Sequence, residues 1–330
     1  MDGYKPPFTI TNSILSHVAS VSEKVGRITV MSNMENKPHL RKNNRIKSIH
    51  SSLKIEANSL SLSQVRDVIN GKLVFGEAKE IQEVKNAYNA YEKIAEIDPY
   101  SIEELKKFHG IMTKYIVEES GDFRSGEEGV FNGEECIFMA PPARFVPQLM
   151  NELFGWMKKE KDQMHPLILS SVFHYEFVFI HPFTDGNGRM ARLWHTAILA
   201  KWNLIFEYIP IESQIEKFQD DYYDAIAKCH VEGESTVFIE FMLTQIDNTL
   251  AELLNQMTDS ATDDAILDAD HMEGRLLSGL KQNPYITQTD LAKELSLSRR
   301  TVQRIMKELM NDGKIKRVGS TRTGHWEIND

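Results

Sequence analysis

A histidine, an aspartate, two glycines and two arginines fall within the twelve residues His181-Pro182-Phe183-Thr184-Asp185-Gly186-Asn187-Gly188-Arg189-Met190-Ala191-Arg192. Each type has a chemistry. An imidazole such as His181 can take a proton from an attacking hydroxyl near neutral pH. Asp185 offers a hard oxygen ligand of the kind Mg²⁺ takes alongside substrate phosphates. Gly186-Asn187-Gly188 cannot comfortably continue a helix, so the chain turns there. From Arg189 onward Met190, Leu193, Trp194, Ala197 and Ile198 recur on one face, so a helix follows the turn. Free backbone N–H groups at such a helix start form an anion site, and glycines let the backbone approach the anion closely. Arg189 and Arg192, three apart, share a helix face and can grip phosphate oxygens together. Singly, each residue has an ordinary explanation: a structural histidine, a turn, a solvated helix face. Together they are the parts that phosphoryl-type transfer uses.

The elements around the string can be read from periodicity. Pro166 suits a first helical turn, and Leu167 to Ile180 follows as a nearly all-apolar stretch, which predicts a central buried helix leading directly to His181. Ile14, Leu15, Val18, Val21 and Val25 line one face of a helix near the start of the chain, and Ser101 to Glu104 is a helix-capping pattern. Gly129 to Phe138 breaks the helical pattern. Asn132-Gly133 is a dipeptide favoured in tight hairpin turns, so a small β-hairpin is expected here, closed by Pro141-Pro142.

The twelve-residue string resembles the signature of the Fic family, His-x-Phe-x-(Asp/Glu)-Gly-Asn-Gly-Arg-x-x-Arg, at every defined position. Gly121-Asp122-Phe123-Arg124, the stretch from Ala140-Pro141-Pro142 to Val146-Pro147, and His165-Pro166 are also similar to the family. The likeness covers roughly Phe8 to Tyr223. It implies a protein adenylyltransferase that moves AMP from ATP, with Mg²⁺, to a Tyr, Thr or Ser hydroxyl of a target protein. By that resemblance His181 is the base and Asp185 holds the metal. Gly186, Asn187 and Gly188 cradle phosphates, Arg189 contacts them, and Arg192 grips the γ-phosphate. Phe183 is a core anchor, and the hairpin is a flap that aligns an extended target segment.

Upstream, Ser51-Ser52-Leu53-Lys54-Ile55-Glu56-Ala57-Asn58 resembles the family's inhibitory motif, (Ser/Thr)-x-x-x-Glu-(Gly/Asn). Ser52 and Glu56 match; Ala57 departs, and Asn58 comes one place late. The resemblance implies that Glu56 pairs with Arg192 and denies that guanidinium to the γ-phosphate.

The fold class expected is mainly α: a Fic-type helical bundle with a small β-hairpin flap, and a C-terminal winged helix domain. The boundaries expected are an N-terminal helical region with the inhibitory helix over 1–95, the catalytic core and following helices over 96–255, a linker over 256–270, and a winged helix-turn-helix over 271–330. Leu276, Leu277 and Leu280 mark one helix of that last domain. Thr287 caps a second over Gln288 to Leu295, and Ser298 caps a third over Arg299 to Asn311. Lys314 to Val318 and His325 to Ile328 read as two strands. From Gly274 to Asp330 there are eleven Lys and Arg against six Asp and Glu, a net +5, within a chain whose net charge is −10. Arg299, Arg300, Gln303, Arg304 and Lys307 lie on the third helix, with Arg317 and Arg322 near the wing. DNA binding and protein docking are both open to such a domain.

Other chemistries are excluded. Gly121 to Gly126 has the glycine spacing of a P-loop, but Glu127 stands where the lysine is required. No His-Glu-x-x-His pair exists, and His174 and His195 read as packing residues. Cys136 and Cys229 are too few and too far apart for a disulfide framework or a cysteine zinc site, and fit a reducing compartment. With no signal-like N-terminus and no apolar run long enough for a membrane span, a cytoplasmic protein is expected. An oligomer is left open. Two rival functions share these residues: removal of AMP or transfer of another phosphate-containing group, and a DNA-binding transcriptional regulator whose Fic core senses a nucleotide.

Overall fold

The computed structural model describes residues 4–31, 38–132, 135–295, 299–311, 314–319 and 324–328. The chain divides into two compact units, Met1–Leu254 and Asn255–Asp330.

The first unit is built on α-helices. In chain order these are α1 (Asn12–Met31), α2 (Pro38–Ile55), α3 (Leu62–Ile69), α4 (Ala78–Tyr91) and α5 (Ile102–Met112), then α6 (Val146–Glu160), α7 (Pro166–Ile180), α8 (Asn187–Trp202), α9 (Ile211–Lys217) and α10 (Gln219–Glu232). The regions expected as 1–95 and 96–255 thus pack together in one body up to Leu254. The antiparallel pair β1 (Gly129–Asn132) and β2 (Glu135–Met139) forms the hairpin between α5 and α6. Asn132 pairs with Glu135 as part of the ladder. The Asn132-Gly133 turn expected there reaches Gly133, outside the described residues.

Helix α7 is the central element. Leu167, Leu169, Val172, Phe173 and Phe177 are fully buried, as the all-apolar sequence requires. Pro166 sits at its start, and the His165 ring accepts the Leu167 N–H as a cap. Helix α8 packs against α7 and is buried almost along its length, Arg189 and Arg192 included. Helix α2 reaches the core differently. Ile46, Ile49 and Leu53 are buried, but so are Ser48, Ser51 and Ser52. These small hydroxyls let α2 lie close against its neighbours and bond to them, as the Ser51 and Ser213 hydroxyls do at 3.1 Å.

Helix α11 is Thr236–Gln282. The stretch over 256–270, expected as a linker or a loosely ordered helix end, is helical backbone within it. The second unit continues with α12 (Gln288–Glu294), α13 (Arg299–Asn311), β3 (Ile315–Val318) and β4 (His325–Ile328), the strands antiparallel. Leu276, Leu280, Leu291, Val302, Ile305, Met306, Leu309, Ile315 and Trp326 form its core. Thr287 caps α12 by accepting the Asp290 N–H. Ser298, expected to cap α13, lies outside the described residues. Among the described residues no helix is long and apolar enough to cross a membrane.

Candidate active site

The site lies at the junction of α7 and α8. Helix α7 ends at His181, whose backbone is left-handed (φ 50°, ψ 60°). That conformation is uncommon for a residue with a side chain and marks a constrained position. It reverses the chain so that α8 can begin six residues later at Asn187, with Gly186 as the preceding cap at φ 83°. A Cβ on Gly186 would press on Thr113 at 3.0 Å, so both conformation and space call for glycine.

The loop between the helices is held from inside. The Phe183 side chain is fully buried, which contributes about 2 kcal/mol or more to fixing the loop. Its ring stacks on His109 at 3.6 Å. The Asn187 side chain closes the loop on itself: Nδ2 donates to the Phe183 carbonyl at 2.6 Å, and Oδ1 accepts the Phe183 N–H at 3.0 Å. Asn187, expected to cradle phosphates, therefore has its side chain engaged in the loop, and what it offers an anion is its backbone N–H in the first turn of α8.

Two residues to which the sequence assigned no role hold this loop in place. His109 on α5 accepts the Gly121 N–H at Nδ1 (2.9 Å), so Nε2 carries the proton and donates to the Asp185 carbonyl (2.9 Å). Burial pushes the His109 pKa down to about 4, outweighing the Asp185 carbonyl bond that favours protonation. Buried Arg124 gathers carbonyls. Its Nε donates to His181 at 2.7 Å, Nη1 to Gly126 at 2.8 Å and Nη2 to Pro141. It thus ties the end of α7 to both roots of the hairpin. A buried arginine gathering several backbone carbonyls is a tertiary arrangement; the only sequence signal was the Gly121-Asp122-Phe123-Arg124 resemblance.

Burial lowers the His181 pKa and nearby Arg124 adds to this; the Val178 carbonyl, Glu56 and Asp185 oppose it, and the net shift is downward. A neutral imidazole carries one N–H and keeps a lone pair on its other ring nitrogen. The downward shift favours the unprotonated ring, the form that can accept a proton. For Asp185, burial would raise the pKa, but the Arg189 guanidinium and the Gly186 N–H hold it below the usual carboxylate range. Both bonds fall on one oxygen: Oδ1 accepts from Arg189 Nη2 at 2.7 Å and from Gly186 N at 2.6 Å. Among the described residues Oδ2 carries no hydrogen bond, and the side chain is 34% exposed. No cluster of three or more His, Cys, Asp or Glu able to hold a metal ion occurs among the described residues. A cation at Asp185 would draw its remaining ligands from phosphate and water, which suits Mg²⁺.

Arg192 meets α2. Its Nε donates to Ser52 Oγ at 3.0 Å, and Nη2 donates to the Ser52 carbonyl at 2.9 Å and to Glu56 Oε1 at 2.7 Å. Burial alone would lower its proton affinity; the Glu56 charge raises it, and the guanidinium stays charged. A Cβ built on Gly188 would collide with Glu56 Oε1. The carboxylate therefore lies over the glycine turn as well as against the arginine. His181, Asp185, the glycine turn, Arg189, Arg192, Ser52 and Glu56 are brought together at one place.

Glu56 is placed by a C-terminal turn of α2. The Ala57 N–H bonds to the Lys54 carbonyl and the Asn58 N–H to the Leu53 carbonyl, the paired bonds of a Schellman cap. That cap needs a left-handed residue, and Ala57 supplies it at φ 64°. Here the departure from the inhibitory motif has its physical meaning: alanine occupies a conformation that glycine adopts freely. Ala57→Gly is expected to stabilise the protein by about 1 kcal/mol and to seat Glu56 more firmly. A higher urea midpoint with unchanged slope would show it; an unchanged or lower midpoint would mean that Ala57 is not strained.

A helical core whose central helix delivers a histidine to a glycine-rich helix start, with two arginines on the next helix, is the arrangement of the Fic fold. The Fic/DOC family model matches residues 99–199, and a winged helix-turn-helix DNA-binding model matches residues 270–316. The crystal structure of a Fic family protein from Desulfovibrio desulfuricans G20 is 38% identical, covers 99% of this chain and 98% of that one, and superposes with a TM-score of 0.74. The chain belongs to the Fic family and carries a C-terminal winged helix domain. It is also 30% identical over 226 residues to a protein adenylyltransferase Fic from Nematostella vectensis (64% of this chain, 49% of that one). A protein of the same name from Culex quinquefasciatus is 28% identical over 214 residues (62% and 41%). The chain thus spans about half the length, or less, of these curated relatives.

Proposed function

We propose that this protein is an adenylyltransferase that transfers AMP from ATP to a Tyr, Thr or Ser hydroxyl of a target protein, and that Glu56 restrains it. The observation that carries the reading is the convergence of an unprotonated His181, the start of α8, Arg189 and Arg192 at one loop. The likeness to proteins named adenylyltransferases supports it.

In the proposed reaction the target hydroxyl oxygen attacks the α-phosphorus of ATP. The new bond joins that oxygen to phosphorus, the bond to the bridging oxygen breaks, and pyrophosphate leaves. The hydroxyl proton passes to the free ring nitrogen of His181. First-turn N–H groups of α8, with Gly186 and Gly188 beneath, receive phosphate oxygens; Arg189 contacts them, and Arg192 grips the γ-phosphate once Glu56 has moved away. Bound at Asp185, Mg²⁺ would neutralise phosphate charge. The β1–β2 hairpin offers backbone groups for pairing with an extended segment of the target.

The test uses the Glu56→Gly protein with Mg²⁺, cell lysate and ATP labelled on the α- or the γ-phosphate. Protein should take up the α label and not the γ label. Uptake of γ label would point to phosphoryl transfer instead, and absence of both labels would overturn the transferase reading.

The C-terminal unit supports a second role in DNA binding. Gln303, Lys307, Lys316 and Arg317 are exposed on α13 and β3. Arg317 lies over the Trp326 ring at 5.0 Å. Arg322 and the side chains of Arg299, Arg300 and Arg304 lie outside those described. The full chain should bind duplex DNA weakly, with affinity falling as salt rises. A gel-shift series without binding at low salt would leave protein docking as the role of this unit.

A further inference from the structure

The Glu56 turn reaches the second arginine of the site as well as the first. Arg189 is 2% exposed. Its guanidinium lies between two carboxylates: Asp185 Oδ1 at 2.7 Å from Nη2, and Glu83 Oε1 at 3.3 Å from Nη1. Glu83 comes from α4, more than a hundred residues earlier in the chain, and its side chain is 12% exposed. Its other oxygen, Oε2, accepts from Asn58 Nδ2 at 2.8 Å.

Asn58 is the last residue of the cap that places Glu56, and it is 5% exposed. Its backbone N–H closes the cap on Leu53, its Oδ1 accepts the Leu60 N–H at 3.2 Å, and Nδ2 also donates to the Glu80 carbonyl at 3.3 Å. The side chain is thus fixed in one orientation, with Glu83 as its charged partner. Glu56 and Asn58, two residues apart across Ala57, engage Arg192 directly and Arg189 through Glu83.

We propose that Glu83 is a positioning residue of the nucleotide site. It fixes Arg189 from the side opposite its Asp185 bond, and through Asn58 it latches the inhibitory turn to the same arginine. The proposal rests on the reading of Arg189 as a phosphate contact. In the restrained protein the turn is held at both arginines. When the turn leaves, Glu83 loses Asn58 but keeps Arg189 aimed at the place where phosphate binds. An arginine held only by Asp185 would spread over more orientations, and part of the ATP affinity would be lost in reordering it.

The experiment measures ATP binding by calorimetry and initial rates of AMP incorporation. In the Glu56→Gly protein, Glu83→Gln should weaken ATP binding about fivefold, the scale of one charge-assisted hydrogen bond partly lost, with kcat within about twofold. Asn58→Ala should change neither quantity in that protein, yet should raise the rate several-fold when Glu56 is present, because it loosens only the latch. Arg189→Ala in the Glu56→Gly protein is the control. If it leaves ATP affinity unchanged, the reading of Arg189 is wrong. If it weakens ATP and Glu83→Gln does not, Glu83 positions nothing. A thermal melt accompanies each variant. Should Glu83→Gln fail to fold, the Asn58→Ala pair decides: an equal effect with and without Glu56, or no effect in either, overturns the latch.

Discussion

His181→Ala should abolish AMP transfer while leaving ATP binding nearly intact. The ring is placed where α7 ends, and in the proposed reaction its free nitrogen is the proton acceptor. Asp185 is held below the usual carboxylate range and is a far weaker base than an imidazole, and Arg192 keeps its proton. Loss of a general base costs roughly 10²- to 10⁴-fold in rate. Nothing in the phosphate-binding part of the site depends on the imidazole, so calorimetry with ATP should give a dissociation constant within about threefold of the parent. Near-parental transfer would remove His181 from the mechanism; lost ATP binding would make it a structural residue. The pH dependence gives a second reading. Because the His181 pKa is depressed, chiefly by burial, the base is already unprotonated at neutral pH. The rate should therefore be level there and fall only below about pH 6.5, the ordinary histidine value. An acid limb centred above that value would contradict the burial of the ring.

Glu56→Gly should raise transfer by about tenfold or more. The carboxylate acts in two ways: it holds Nη2 of Arg192 at 2.7 Å, and it lies over Gly188, where phosphate oxygens would approach. Its side chain is 32% exposed while that of Arg192 is 1% exposed. Solvent therefore screens part of the pair, and its strength lies below that of a fully buried one. Each ~1.4 kcal/mol still corresponds to a factor of ten. Combining Glu56→Gly with Arg192→Ala should cancel the gain, because in the proposed reaction the released guanidinium is what the γ-phosphate uses. Initial rates of AMP incorporation for the parent, both single variants and the double variant form a complete cycle. A Glu56→Gly protein no faster than its parent would sink the inhibitory reading. A double variant as fast as Glu56→Gly would place inhibition in the cover over Gly188 rather than in the arginine pair.

The amino-acid sequence by itself determined whatever neighbouring residues can dictate. The all-apolar stretch after Pro166 had to be a buried helix, the glycines at 186 and 188 required a turn beside it, and the spacing of Met190, Leu193 and Trp194 required another helix; that His181 is the residue that ends α7, and that Asn187 and Gly188 already belong to α8, came from the fold. The same local rules set α12, α13 and the two strands after them, because caps, glycines and periodicity act within a few residues. Fic membership was legible for the same reason: its signature is one continuous string. The tertiary structure decided which distant groups satisfy the buried charges. Glu56 meets Arg192 across 136 residues, Glu83 meets Arg189 across 106, and His109 meets the Asp185 carbonyl across 76. No periodicity encodes such pairs. A buried cation or carbonyl must find a partner, but which of many carboxylates or imidazoles supplies it is settled by packing. Ala57 shows the same division: the sequence reveals a departure from the motif, and only the fold, by requiring a left-handed residue to end α2, makes that departure a strained one.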